Sequence, residues 1–300
     1  MHDTKLKNKL YQTKKNRFLF YSLLLILLNL NTPTFARATD IITTLPPLAG
    51  LVHWLKPDAD VLCLLPANAD PHHFQLSPRQ VESLQQSKLL VRSSQDDGHW
   101  TSLTSHARVL DLWPREKHND QHDQHDQHDQ HEEHMANHAW LNPHAVQTIL
   151  PKLAAQLQSM YPNDKQEIRK NLALAISESE QLWQAWVRMS QSTGLTKYGV
   201  IMQHPAWTNF FQALDITIFN SLESEQHGDE HGPRKLESAL QQLQQHPNIR
   251  LIADNHHSNR ALQWLQNHHK SSTITTLDAL GSCGESWLHL MQRNLDTLRP

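Results

Sequence analysis

The chain of 300 residues has two cysteines, eight glycines and a formal net charge of only −3. Two cysteines exclude a disulfide-dense small scaffold and any zinc site built from four thiolates. The few glycines include neither GxGxxG nor GxxxxGK[ST], so a glycine-rich phosphate loop is not expected. A near-neutral charge argues against bulk electrostatic binding of nucleic acid. GxSxG, HExxH and CxxC are also absent, as is the HxE…PCxxC pattern of zinc deaminases, which leaves nucleophilic and hydrolytic catalysis without a motif. What the chain has in excess is histidine, at 23 residues, roughly three times ordinary usage.

Residues 1–17 carry six Lys/Arg against one acid. An uncharged 13-residue run, FLFYSLLLILLNL, follows at 18–30, and then Ala36 and Ala38 in an A-x-A pattern. A basic region, a short apolar region and small residues at a cleavage site make a secretory signal peptide, 1–38. The apolar run falls short of the ~20 residues of a membrane span. Cleavage takes away seven basic residues and one acid, which moves the formal charge from −3 to −9. The exported chain is therefore acidic, expected to be soluble in the periplasm, and suited to cations rather than nucleic acid.

Along the mature chain, apolar strand-like runs alternate with helical periodicity. Strands are expected at 41–45, 58–67, 88–94 and 107–113, with helices after Pro46-Pro47 and at 77–87. The pattern repeats after residue 193. Strands are expected at 197–204, 216–222, 249–255 and 272–278, and helices at 207–214, 233–246, 260–269 and 284–298. Between the halves, 143–192 is helical in pattern and divided at Pro162. The fold expected is α/β: two lobes with parallel sheets facing each other across a long rigid helix. The boundaries are 39–161 for the N-terminal lobe, 162–192 for the linking helix and 193–300 for the C-terminal lobe. The run 117–137 repeats His-Asp-Gln, has almost no apolar surface to bury, and reads as a disordered loop.

Ligands of parallel α/β sheets bind beyond the carboxyl ends of the strands. His204, Asp254 and Asp278 fall at expected strand ends, and His72 and His138 fall in loops. Three imidazoles with a carboxylate suit a borderline-soft divalent ion, Zn²⁺ first, and spacing this wide makes sense only if two lobes converge. The candidate ligands are His72, His138, His204 and Asp278, with His73 and Asp254 as auxiliary positions. Asp254 and Asp278 also suit turn caps. His118, His122, His125, His128, His131 and His134 form an imidazole–carboxylate string suited to weak, multi-site binding of late first-row metals. A second small cluster holds His227 and His231. Cys63 reads as a buried strand residue and Cys283 as a loop residue, and no bridge between them is expected.

The segments PHHFQLSP (71–78), HAWLNP (138–143), HPAW (204–207) and TLDALG (276–281), with the His/Asp loop between the first two, occur in an order that spans the mature chain. In these features the chain resembles the zinc/manganese ABC-transporter periplasmic solute-binding proteins (cluster A-I), and most of all the zinc-uptake type with a His-rich loop. The resemblance implies two four-stranded (βα)₄-type lobes with metal in the interlobe cleft. It implies His72, His138 and His204 as ligands, with Asp278 ligating directly or near a bound water. It implies an inner-membrane ABC permease with a cytoplasmic ATPase as partners, a monomeric carrier and no enzymatic activity. Manganese-type members carry a carboxylate where His204 stands, so zinc is favoured. The chain departs from the family where Asp254-Asn255 replaces a Glu-Pro, and where His73, His256 and His257 add imidazoles. The competing functions are Mn²⁺, Fe²⁺ or Ni²⁺ uptake, a stand-alone periplasmic zinc buffer or chaperone, and a hydrolytic zinc enzyme.

Overall fold

The computed structural model describes residues 39–66, 69, 74–94, 108–114, 138–223 and 232–299. Residues 1–38, expected as a signal peptide, His72, His73, the 117–137 tract, His227 and His231 lie outside the described residues. No helix among the described residues is long and apolar enough to cross a membrane.

The first sheet is built from β1 (Ile41–Thr43), β2 (Val61–Cys63), β3 (Leu89–Arg92) and β4 (Arg108–Asp111), all parallel, in the order β2-β1-β3-β4. The second is built from β5 (Val200–Met202), β6 (Ile218–Ser221), β7 (Arg250–Asp254) and β8 (Ile274–Leu277), also parallel, in the order β6-β5-β7-β8. The two orders are the same. In each, the chain reverses its direction of winding beside the first strand of the lobe, the kind of switch point where α/β sheets open a crevice. The strands are shorter than the apolar runs that announced them. The 58–67 run, expected as a buried strand, forms the edge strand β2, and its three residues are only half-buried because one side has no neighbour.

The helices begin where the sequence offers caps. Helix α1 (Pro46–Leu55) opens on two prolines, whose missing N–H groups cost nothing in a first turn. Helix α2 (Pro78–Gln86) has a full capping box between Ser77 and Gln80. Helix α3 (Pro143–Met160) is capped by Asn142, which accepts from the N–H groups of His144 and Ala145, and it runs through Pro151. A single 3₁₀ turn, Pro162–Asp164, separates α3 from α4 (Lys165–Ser192), whose 28 residues reach about 42 Å. Short helices α5 (Leu195–Tyr198) and α6 (Thr208–Ala213) precede α7 (Pro233–Gln245), α8 (Arg260–His268) and α9 (Trp287–Leu298).

The core is not divided between the sheets. One continuous apolar cluster joins Ile41, Leu48 and Leu90 to Trp186 on α4 and to Trp207, Phe211, Trp287 and Leu295 in the second half. A smaller cluster around Leu243, Leu251 and Leu262 lies under the outer C-terminal helices. Indoles tie the halves together. Trp287 Nε1 donates to the Trp140 carbonyl at 2.7 Å, and Trp140 Nε1 donates to the Ala279 carbonyl at 2.8 Å. Trp54 stacks on Trp287 with centroids 5.2 Å apart and donates to Glu178 on α4 at 3.0 Å. Trp54, Trp140 and Trp287 thus each have a partner for the indole N–H.

Cys63, at the end of β2, and Cys283, in the loop before α9, form a disulfide across the two halves. This corrects the expectation of two unbridged thiols. The strand end and the loop converge with Cα atoms 6.1 Å apart, within the span a disulfide bridges. A sequence separation of 220 residues hides that proximity.

Gly50 on α1 marks a close approach of the halves. A Cβ there would lie 2.6 Å from the Trp287 nitrogen and 2.9 Å from the Glu285 carbonyl oxygen, both backbone atoms that cannot swing aside. Gly50→Ala is expected to force α1 off the start of α9 and to cost about 1–3 kcal/mol. Thermal unfolding of the variant measures this, and an unchanged melting temperature would show the contact to be loose.

Candidate metal centre

His138, His204, Asp254 and Asp278 stand at or just beyond the places their sequence positions indicated. His204 lies two residues past β5, Asp254 ends β7, and Asp278 follows β8 directly. His204 and Asp254 thus flank the switch point of the second sheet. His138 precedes the 3₁₀ turn Ala139–Leu141 in a left-handed conformation, φ 57°, which histidine tolerates better than most residues. Its ring lies 5.4 Å from that of His204, centroid to centroid. His138 belongs to the segment that leads into α3, so donors from both halves of the chain meet here.

The structure adds Glu223 and His257 around His204. Among the described residues, His204, Glu223 and His257 have ligating atoms that all lie within 4.8 Å of one another. The His257 ring stacks on His204 at 4.0 Å with a 12° interplanar angle. Glu223 Oε2 lies 2.7 Å from His257 Nδ1 and 3.5 Å from His204 Nδ1, and its Oε1 accepts from Gln203 Nε2 at 2.6 Å. Burial by itself would raise the Glu223 pKa. The hydrogen bonds of His204, His257 and Gln203 outweigh it and hold the carboxyl far below its usual range. An ionised carboxylate between two imidazoles is a donor set that a divalent cation can use in place of protons.

Glu223 was missed at the sequence level, although the same rule would have found it, since it lies two residues past the end of β6. The neighbours His256 and His257 divide their roles. Asp254 Oδ1 accepts from the His256 N–H at 2.9 Å, and its backbone carbonyl accepts from the His257 N–H at 3.2 Å, so the chain turns sharply after β7. His257 then faces His204, while His256 Nε2 lies 3.2 Å from Asp278 Oδ1. The Asp278 bond raises the His256 pKa against the lowering effect of burial.

Asp278 is heavily engaged. Its Oδ1 also accepts from the N–H groups of Leu280 and Gly281 at 3.0 and 2.8 Å, and its Oδ2 from Arg293 at 2.9 Å. Asn294 clasps its backbone, donating to the carbonyl and accepting from the N–H, both at 2.8 Å. Burial would raise the Asp278 pKa, but these donors hold it well below the usual carboxylate range. Asp278 Oδ1 therefore caps its turn, while Oδ2 accepts from the Arg293 guanidinium alone among the described residues. Asp254 Oδ2 is buried and has no hydrogen-bond partner among the described residues. Burial raises the Asp254 pKa, opposed by the His256 N–H bond and by the charges of His257 and His204.

Two parallel-sheet lobes on a shared core, with imidazoles and carboxylates gathered beyond the strand ends of the second, define the class of two-lobe metal-binding proteins. The chain belongs to the family described as zinc-uptake complex component A, periplasmic (ZnuA), whose model matches residues 41–300. That family consists of periplasmic solute-binding components rather than enzymes. A putative metal-binding protein of Thermotoga maritima is 24% identical over 283 residues, covering 92% of this chain and 97% of its own length. Among solved structures, ZnuA superposes with a TM-score of 0.70 at 19% identity, over 87% of this chain and 98% of its own. A Mn-bound mutant of a periplasmic metal-binding protein from Candidatus Liberibacter asiaticus gives 0.67 at 13% identity, over 87% and 98%. The laminin-binding protein Lbp of Streptococcus pyogenes gives 0.66 at 16% identity, over 86% and 96%.

Proposed function

We propose that this chain captures Zn²⁺ in the periplasm and delivers it to an inner-membrane ABC permease driven by a cytoplasmic ATPase. The observation that carries this reading is the meeting of His138 with His204, two imidazoles from opposite halves of the chain, beyond the ends of parallel strands. His72 joins them as a ligand from the N-terminal lobe, and Asp278 secures the neighbouring loop. Residues 1–38 serve as the cleaved export signal. Residues 39–161 and 193–300 form the lobes, and 162–192 link them. The His-Asp-Gln tract acts as a low-affinity antenna. Neutral imidazoles favour zinc over harder ions, whereas the Glu223 carboxylate beside His204 also suits Mn²⁺.

The test is a titration of the mature chain with Zn²⁺ and with Mn²⁺ against chelators of known strength. One tight zinc site, at least roughly 100-fold stronger than manganese binding, is the expected result. Tighter manganese binding would transfer the reading to manganese uptake. Weak sites alone would leave only the histidine tract, and with it a buffer.

A further inference from the structure

We propose that His204, Glu223 and His257 hold one divalent transition-metal ion on the C-terminal lobe alone, without His72 or His138. The inference rests on the metal-capture reading and adds to it which residues suffice. All three donors come from loops that follow strands of one sheet, β5, β6 and β7, so no movement of one lobe against the other is needed to assemble them. Their ligating atoms lie within 4.8 Å of one another. The 3.5 Å from Glu223 Oε2 to His204 Nδ1 is close to the roughly 3.3 Å between neighbouring ligands of a tetrahedral ion, and the 2.7 Å to His257 Nδ1 is a hydrogen bond whose proton an ion would replace. Two imidazoles and a carboxylate are a sufficient protein ligand set for zinc, with further positions left for water or another side chain.

A second observation points the same way. Asp254 is 5% exposed, its Oδ2 is buried with no hydrogen-bond partner among the described residues, and it lies close enough to His204 and His257 for their charges to act on it. A buried carboxylate oxygen without a donor is costly unless the group takes up a proton or a cation comes near. His138 then has a different part. As the donor of the segment leading into α3, it adds to an ion already seated on the other lobe.

The experiment uses the full mature chain and Zn²⁺ in a chelator buffer, with bound zinc counted by elemental analysis after removal of excess. His72→Asn together with His138→Asn takes away the N-terminal donors, and asparagine suits the left-handed position at 138. This double variant is expected to keep one zinc, bound roughly 10- to 100-fold more weakly than in the wild type. Adding His257→Gln is expected to reduce that zinc to the background of the histidine tract, which both variants retain. A double variant already at that background, beside a wild type that holds one tight zinc, would overturn the inference and leave the uptake reading intact. A wild type with no tight zinc would overturn both. Glu223→Gln and His257→Gln, each in the otherwise wild-type chain, guard against misfolding of the combined variants. Each is expected to weaken zinc binding by at least about tenfold with the apo melting temperature kept, and unchanged affinity would also overturn the inference.

Discussion

The His204→Ala chain is expected to bind zinc at least roughly 100-fold more weakly than the wild type, because the deletion strikes every donor arrangement the site offers. His204 lies between the His138 ring at 5.4 Å and the His257 ring at 4.0 Å, and its Nδ1 faces Glu223. It is 5% exposed, so its removal also leaves a gap that water has to fill. The loss should be specific to tight binding. Weak binding by the 117–137 tract should survive, so the titration of the variant should keep its shallow phase and lose its steep one. Because hydrogen bonds hold Glu223 ionised, competition from protons in the wild type falls on the imidazoles. Zinc affinity should therefore decline as pH falls, because protons compete with the ion for the imidazole nitrogens. A variant that retained a steep zinc phase would place the tight site elsewhere.

Breaking the Cys63–Cys283 bond should have the largest effect on stability. The bond closes a loop of 220 residues, and loop-closure entropy for so long a segment puts the expected loss at about 2–5 kcal/mol on replacing both cysteines by serine. At roughly 2–4 °C per kcal/mol for a chain of this size, the melting temperature should fall by about 4–20 °C. The bond also runs from the end of β2 to the loop between Asp278 and α9, so it ties one lobe to the other. The indole network of Trp54, Trp140 and Trp287 joins the same faces independently. The fold should accordingly survive reduction, with a lower melting temperature and a single cooperative transition. A drop of less than a degree would mean that the indoles and the shared core already hold the halves, and that the bond contributes nothing further.

The residues differ in how much of their role could be read before the structure. The two parallel sheets and the long helix were legible, because strand and helix periodicities are local properties and their alternation permits few topologies. The strand-end rule placed His204, Asp254 and Asp278 correctly along the chain, since it needs only the ends of apolar runs. The rule could not say which strand ends meet. That depends on the strand order β6-β5-β7-β8, which sets the loops after β5, β6 and β7 side by side and brings Glu223 and His257 to His204.

Asp278 shows the same division. Its place at a strand end was evident, but whether its oxygens were available was not, because Arg293, Asn294 and His256 come to it from elsewhere in the lobe. The disulfide and the Gly50 contact follow the same logic. A cysteine pair 220 residues apart and a glycine inside a helix carry no local signal of what lies opposite them. The sequence by itself determined the export signal as an expectation, the periodicities, and the abundance of imidazole that points to a metal. Only the tertiary structure decided which candidate donors lie side by side and what joins the lobes. Ligand sets and close contacts are set by distances in space, and the chain order does not contain them.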